Sequence, residues 1–442
     1  MKTRFINIWL SVQTSFWFVP AILVFLSIGS AFLIVALDRK IELESSVYGL
    51  LYKGGPEGAR SILTTIATSM MTVAGVTFSI TIVTLSLTSS QFGPRLLRNF
   101  MRDTGNQVVL GTFISTFMYC IVVLLLANVI EGELFVPGIS VSFAVLLALV
   151  NVGVLIYFIH HVSTSIQADY VIEAVYRDLL GHIRRSFPEA ADSEQRKNGE
   201  ERLPPQSSRH HQDHQISAPQ QGYLQAIDFA GLLKLANEND LLICAHFKPG
   251  KYIFADNTLV TVKCAERLND TLSAEIAGCF MFGSQRTSEQ DPEFAVSQIV
   301  EIAVRALSPS TNDPHTAMTC LDRLGSAFCY LANKKFPSPY RHDDKGQLRV
   351  ISKPVTFSGI TNAAFNQIRQ HGRASVAVTI RLLETLNAIA AYTHDPDRRK
   401  SILRQAHMVA QARFESVPDE NDRHDIERRY LTLLEAYDIR QP

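Results

Sequence analysis

A long charge-free segment, residues 61–90, holds the side chains best suited to chemistry with water or ions. Fourteen of its thirty residues are Ser or Thr, and none is charged. On a helix, at about 100° per residue, its small polar residues sort onto two faces. The first face carries Ser61, Thr65, Thr68, Thr72, Gly75, Ser79 and Ser86. The second face, on the opposite side of the later half, carries Thr77, Thr81, Thr84 and Thr88.

Two interpretations of these faces are open. Small and hydroxyl side chains let helices approach closely and hydrogen-bond across their interface. Hydroxyls can also line a water-filled path, where they replace part of a solute's hydration shell. Packing is the more common use of such residues, but one packing interface does not need two polar faces, so the two-faced later half favours a water-filled path. If the segment lines such a path, the candidate pore-lining residues are Thr65, Thr68, Thr72, Gly75, Ser79 and Ser86.

This segment belongs to an N-terminal region that is nearly free of charge. Residues 1–168 carry 16 charged side chains, whereas residues 169–442 carry 68. Four windows, 5–37, 61–94, 104–130 and 134–168, contain no Asp, Glu, Lys or Arg. Each is longer than the roughly 20 apolar residues that cross a bilayer as a helix. The sequence predicts a transmembrane domain, residues 1–168, with spans at about 16–37, 62–89, 107–129 and 139–162.

The loops between the spans indicate an orientation. An even number of spans places both termini on one side of the membrane. Arginines follow the second span (Arg95, Arg98 and Arg102) and the fourth span (Arg177, Arg184 and Arg185). The loop after the third span carries Glu131 and Glu133 and no base, while the loop after the first span carries both signs. Because cytoplasmic loops are rich in Lys and Arg, both termini are predicted to be cytoplasmic.

A membrane-interface motif follows the second span. Gln91 and Pro94 end the helix, and Arg95 begins a basic and apolar stretch that reaches Asp103. Such alternation is typical of a short helix that lies on lipid headgroups. This motif, together with Ala59-Arg60, Phe78-Ser79, Gly111, Phe113 and Tyr119 and the segments 222–228, 286–292 and 305–317, resembles the bacterial DUF2254 family of predicted membrane proteins. The resemblance implies a multi-pass protein of the bacterial inner membrane, and it implies no activity.

The remaining chain predicts a cytoplasmic, mainly helical α+β domain. Residues 169–188 form an amphipathic connecting helix, and the polar residues 189–221 form a flexible linker. Residues 222–282 form a small β-rich subdomain, in which alternating strands flank turns. Residues 283–442 form a helical subdomain, whose first two helices begin at the pairs Asp291-Pro292 and Asp313-Pro314.

Six polar residues near these two helix starts form a candidate polar cluster: Arg286, Asp291, Glu301, Arg305, Asn312 and Asp313. Such a cluster could bind a ligand or a partner. Helix capping and an i,i+4 pair between Glu301 and Arg305 would explain most of it without a ligand. Capping does not explain the long polar loop 308–312, so both interpretations are open.

Several function classes receive no support from the sequence. The 42 basic residues are balanced by 42 acidic ones, which argues against a nucleic-acid partner. No cysteine pair, glycine-rich loop or catalytic motif points to a metal, a cofactor or an enzyme. The sequence favours a homo-oligomeric channel for a small ion or ligand in the lipid bilayer, with a cytoplasmic regulatory domain. The alternative is a membrane-anchored sensor or scaffold whose cytoplasmic domain binds a ligand or a protein partner.

Overall fold

The computed structural model describes residues 17–41, 52, 54–93, 103–129, 137–187, 212–265 and 268–438. The chain divides into two compact units, Met1–Val171 and Ile172–Pro442. The first unit contains long apolar helices, and the second is mainly helical with two sheets. The predicted fold class, four membrane helices followed by a mainly helical α+β region, is confirmed.

Among the described residues of the N-terminal unit, four helices are long and apolar enough to cross a bilayer. They are α1 (Phe18–Ile41), α2 (Pro56–Phe92), α3 (Thr104–Val129) and α4 (Gly138–Ser165). At about 1.5 Å per residue, the 37 residues of α2 extend about 55 Å. The hydrocarbon core is only about 30 Å thick, so α2 continues well beyond it.

Helix α3 is the centre of this unit, because it packs against α1, α2 and α4. Half of its most apolar window is buried, against about a fifth for each of the other three helices. Gly111 permits the close contact with α1: a Cβ there would lie 2.9 Å from the backbone of Pro20. Small residues at such contacts are how membrane helices gain packing, since lipid supplies no hydrophobic drive between helices.

Asp38, at the end of α1, caps the start of α4. Pro137 precedes α4 and provides no side-chain cap. Instead, the Asp38 carboxylate accepts bonds from the backbone N–H groups of Ile139 (2.8 Å) and Ser140 (2.9 Å) and from the Ser140 hydroxyl (2.6 Å). Asp38 is only 7% exposed. A buried charge is tolerated here because unpaired N–H groups and the positive end of the helix dipole face it.

The C-terminal unit begins within α5 (Ala168–Ser186) and contains two sheets. The strands are β1 (Gln212–Ser217), β2 (Gly222–Ile227), β3 (Leu242–Ala245), β4 (Tyr252–Ile253), β5 (Thr258–Cys264), β6 (Phe280–Gly283), β7 (Tyr340–His342) and β8 (Leu348–Ile351). One sheet has the order β1-β5-β3-β8-β7, with only β3 and β8 parallel, and the other has the antiparallel order β4-β2-β6. Helices α6 (Phe229–Glu238) and α7 (Asp270–Gly278) accompany them. One apolar core joins the two sheets with α6 and α7.

Strand β1 corrects the predicted linker, because it lies within residues 189–221. Its sequence is polar, yet residues 214, 216 and 218 alternate inward, and the edge strand pairs with β5. An edge strand needs only one apolar face, so composition concealed it. The part of the predicted linker before β1, residues 189–211, lies outside the described residues.

The helices of the C-terminal part pack as a bundle. They are α8 (Pro292–Ala306), α9 (Pro314–Leu331), α10 (Phe357–Gly372), α11 (Val376–Tyr392), α12 (Pro396–Ser416) and α13 (Glu420–Asp438). Packing pairs include α8 with α9 and α10, and α11 with α9 and α13. The predicted helical subdomain also supplies β7 and β8 to the five-stranded sheet. The two predicted subdomains therefore share a sheet, because β8 pairs with β3 across a long sequence separation.

Replacement of Asp38 tests the cap of α4. We expect Asp38→Ala to lower the stability of the N-terminal unit by about 1–2 kcal/mol, because three donors lose their acceptor. Asp38→Asn retains one good acceptor and should lose less. Thermal unfolding of the full chain in detergent measures both changes. A matched variant of an exposed acid in α5, Asp169→Ala, should leave the transition in place; an equal loss there would contradict the assignment.

Candidate functional site

The structure separates the two polar faces of α2. The first face is exposed in the single chain: Thr65, Thr68, Thr72, Gly75, Ser79 and Ser86. The second face is buried, with Thr77 at 2%, Thr81 at 7%, Thr84 at 8% and Thr88 at 0% exposure. We call the first set the outer hydroxyl face. Packing within one chain therefore accounts for the second set and leaves the outer hydroxyl face uncovered.

Hydroxyl groups of the outer hydroxyl face are bonded to their own helix. Thr65 Oγ1 donates to Ser61 O at 2.7 Å, and Thr68 and Thr72 donate to carbonyls one turn earlier, each at 2.9 Å. Because a carbonyl oxygen only accepts, these three hydroxyl protons are directed along the helix. This bonding lowers the free-energy penalty of placing the hydroxyls in an apolar region.

Large apolar side chains border the outer hydroxyl face on both sides. Met71, Phe78 and Ile82 lie along one border, and Val76, Val83 and Leu87 lie along the other, all exposed. The exposed surface of α2 is thus a polar stripe between two apolar margins. Apolar margins suit contact with lipid or with another helix, whereas the stripe between them suits a polar or tightly packed neighbour.

An uncharged polar contact joins α3 and α4 near the middle of both helices. Asn151 Nδ2 donates to Thr116 Oγ1 at 2.8 Å and to Leu147 O at 2.8 Å. Asn151 is 1% exposed, and its Oδ1 has no hydrogen-bond partner among the described residues. This contact was not predicted from the sequence, because neither of its side chains carries a charge. The signal was present, since Asn151 is the only amide side chain in α4.

The membrane-interface motif is described only at its ends. Gln91 is exposed in the last turn of α2, whereas Pro94 and Arg95 lie outside the described residues. Asp103 Oδ2 lies 2.6 Å from His161 Nε2, and Asp103 Oδ1 accepts a bond from Gly105 N. Asp103 thus joins the start of α3 to the last turns of α4, a role that spacing alone did not predict.

The six residues of the predicted polar cluster do not come together. Arg286 and Asp291 lie at the start of α8, whereas Arg305 lies in its last turn. The 15 residues of α8 separate these ends by about 20 Å. Glu301 lies between them, half-buried. The prediction of one cluster is wrong, because α8 separates Arg286 and Asp291 at its start from the residues at and beyond its end.

At the start of α8, Asp291 is the N-cap and binds Arg286. Its Oδ1 accepts from Phe294 N, and its Oδ2 accepts from Arg286 Nε (2.9 Å) and Nη2 (2.6 Å). The carboxylate is 3% exposed. Burial raises the pKa of Asp291, and the opposing effects of Arg286 and the Phe294 N–H do not cancel it. The loop before β4 covers this carboxylate at Gly250, where φ is +91° and a Cβ would collide with Asp291.

At the end of α8, the loop 308–312 satisfies its own polar groups. Ser308 Oγ donates to Arg305 O at 2.7 Å and lies 3.2 Å from Ser310 Oγ. Asn312 N donates to Ser308 O, and Asn312 has a left-handed backbone with φ of +47°. Asp313 caps α9 by accepting from Thr316 N (3.0 Å) and Thr316 Oγ1 (2.6 Å). The polar composition of this loop is therefore explained by its own hydrogen bonds.

No group of three or more His, Cys, Asp and Glu side chains that could hold a metal occurs among the described residues. The six cysteines are buried or half-buried, and they form no disulfides. Burial raises the pKa of the Cys279 thiol to about 11, so this sulfur is held as a thiol.

The four apolar helices define a polytopic membrane protein with a large C-terminal unit. The sequence model of the DUF2254 predicted membrane proteins matches residues 13–388, and the chain belongs to this family. Two relatives, an uncharacterized protein of Mycobacterium tuberculosis and one of Mycobacterium bovis, are each 32% identical to it over 421 residues. The match covers 93% of this chain and 78% of each relative. No solved structure matches the chain.

Substitutions of Asn151 test whether its hydrogen bonds only help α3 pack against α4 or whether this position requires a polar side chain. We expect Asn151→Leu to change stability by less than about 1 kcal/mol, because one interhelical hydrogen bond is lost while an unpaired oxygen is removed. Asn151→Asp should cost about 2.5–3.5 kcal/mol, since it places a charge near the membrane centre. Unfolding of both variants in micelles measures these changes. Equal losses for Leu and Asp would show that the amide has a further partner.

Asp313 provides a pH-dependent test of capping. The Thr316 hydroxyl and N–H groups lower the pKa of Asp313. A carboxyl whose pKa is lowered on folding contributes its full stabilisation above its unfolded pKa of about 3.9 and loses it as pH falls through the lower folded pKa. We expect Asp313→Ala to cost about 1 kcal/mol at pH 7 and less near pH 3, where part of the stabilisation is already lost. Thermal melts at both pH values measure the difference. Asn312→Gly, which suits a positive φ, should leave stability nearly unchanged; a large loss there would contradict a purely structural loop.

Proposed function

We propose that the protein is an oligomeric channel of the bacterial inner membrane, in which the outer hydroxyl faces of several α2 helices line a water-filled path. The observation that carries the proposal is the exposure of this face, opposite the buried Thr77, Thr81, Thr84 and Thr88. One chain satisfies its packing with the buried face. The outer hydroxyl face is left for water or for another copy.

Several copies are required, because α3 fills the centre of the four helices of one chain by packing against α1, α2 and α4. The apolar margins of α2, including Phe78 and Val83, are suited to contacts between copies. Close approach is helped by Gly75, where a Cβ would meet nothing within 4 Å in the single chain. Small residues favour helix association in membranes, so a ring of α2 helices would hold its hydroxyls toward the axis.

The length of α2 also supports a water path. About 25 Å of this helix extends past a hydrocarbon core of about 30 Å. The outer hydroxyl face extends from Thr65 to Ser86, about 30 Å along α2, which matches the thickness of such a core. A ring of such helices would form a polar vestibule at the end of the path. We place that end and the C-terminal unit in the cytoplasm, because Arg177, Arg184 and Arg185 follow α4.

The second candidate function is a membrane-anchored sensor or scaffold, whose C-terminal unit binds a ligand or protein. The internal hydrogen bonds of Thr65, Thr68 and Thr72 favour it. Hydroxyls that are already bonded to their own helix can be packed without water. In that case the outer hydroxyl face would be a dry contact between copies, and no ion would pass.

Variants with one added cysteine, compared with the unmodified chain and its six native cysteines, distinguish the two functions. Ser79→Cys lies on the outer hydroxyl face, and Ile82→Cys lies on its apolar margin about one turn away. In proteoliposomes, we expect a charged, water-soluble thiol reagent to modify Ser79→Cys much faster than Ile82→Cys and to reduce its ion flux. Peptide mass spectrometry identifies the modified residue, and native mass analysis in lipid discs gives the number of copies.

A stable monomer in lipid would overturn the channel. So would an absence of ion flux with both cysteines unreactive, and that result would favour the scaffold. Thr81→Cys provides the matched control, because it is on the same helix but buried within the chain. Its modification would show that the reagent reaches unfolded protein.

A further inference from the structure

We infer that the path selects small monovalent cations over anions. This inference rests on the proposed channel and assigns the class of ion that the outer hydroxyl face accepts. It follows from the direction of the hydroxyl bonds and from the charge at one end of the face. The interior of the path carries no charge, which disfavours divalent cations relative to monovalent ones.

The first argument is the direction of the hydroxyl bonds. Thr65 Oγ1 donates its proton to Ser61 O, and Thr68 and Thr72 donate theirs to the carbonyls of Thr64 and Thr68. With the protons engaged, these side chains present oxygen lone pairs to the path. Lone pairs can replace the water oxygens around a cation, whereas an anion requires donors. Three consecutive turns of α2 are thus lined by acceptors.

The second argument is the position of Glu57. It is exposed in the first turn of α2 and lies about 40° from Ser61 around the helix, on the same side as the outer hydroxyl face. The helix start contributes only about +0.5 charge, so the full negative charge of Glu57 exceeds it. Arg60 carries the opposite charge, but it lies about 100° from Ser61 around the helix, on the margin and outside the outer hydroxyl face. A ring of Glu57 side chains would concentrate cations at this entrance.

The third argument concerns the charge of the cation. No Asp or Glu occurs between Ser61 and Pro94. Divalent cations such as Ca²⁺ lose a tightly held hydration shell and need several oxygen ligands with carboxylates among them. Hydroxyl oxygens alone compensate poorly for that loss. Monovalent cations are more weakly hydrated, and a path of hydroxyls and water suits them.

The test is the reversal potential of the full-length protein in a planar bilayer under a tenfold KCl gradient. We expect it to shift toward the K⁺ equilibrium potential, with K⁺ several-fold more permeant than Cl⁻. Glu57→Gln should reduce this preference, and Thr68→Val with Thr72→Val should lower it further, since valine preserves the shape and removes the oxygen. Each variant must first show the wild-type melting temperature and copy number.

Thr112→Val is the matched control. Thr112 Oγ1 also donates to a carbonyl one turn earlier, Val108 O at 2.7 Å, but it is on α3. Its replacement should leave the reversal potential unchanged. Conductance that prefers Cl⁻, fails to discriminate, or is unaffected by Glu57→Gln and the paired valine variant would overturn this inference and leave the channel intact. Absence of any conductance would overturn the channel itself.

Discussion

The membrane unit depends on one constraint: every polar group inside a bilayer needs a partner that water does not supply there. The chain meets it in three ways. Thr81 and the outer threonines bond to their own helix, Asn151 bonds to Thr116 on the neighbouring helix, and Asp38 accepts the free N–H groups of α4. The first two ways use uncharged groups, and in the third the charge of Asp38 faces the N–H groups at the start of a helix. Charge is therefore restricted to helix ends, and the spans keep the low charge density seen in the sequence.

The C-terminal unit applies the same capping chemistry twice with different results. Asp291 and Asp313 each precede a proline and each accept the N–H group three residues later. Asp291 is buried beneath the Gly250 loop and paired with Arg286, and its pKa is raised. Asp313 is more exposed and bonded to Thr316, and its pKa is lowered. The motif determines the helix start, while the surrounding packing determines the electrostatics.

Patterns within short stretches of sequence predicted the features that depend on neighbouring residues alone. The four spans follow from windows without charge, and the starts of α8 and α9 follow from Asp-Pro pairs. Contacts between distant segments could not be predicted this way. Asp38 caps a helix that begins 100 residues later, and β8 pairs with β3 across an intervening bundle. Strand β1 was missed because an edge strand needs few apolar residues, and the six-residue cluster was wrong because sequence proximity ignores the length of α8.

Helix α2 shows how one residue type can have two roles. Thr77, Thr81, Thr84 and Thr88 are buried, where a small side chain permits close packing. Thr81 Oγ1 donates to Thr77 O, whereas Thr88 Oγ1 has no hydrogen-bond partner among the described residues. Thr65, Thr68 and Thr72 make the same backbone bonds on the exposed side. Because Thr81 bonds in the same way on the buried side, hydroxyl content alone does not separate the two faces. Burial separates them, since the first four threonines are covered within the chain and the last three are exposed.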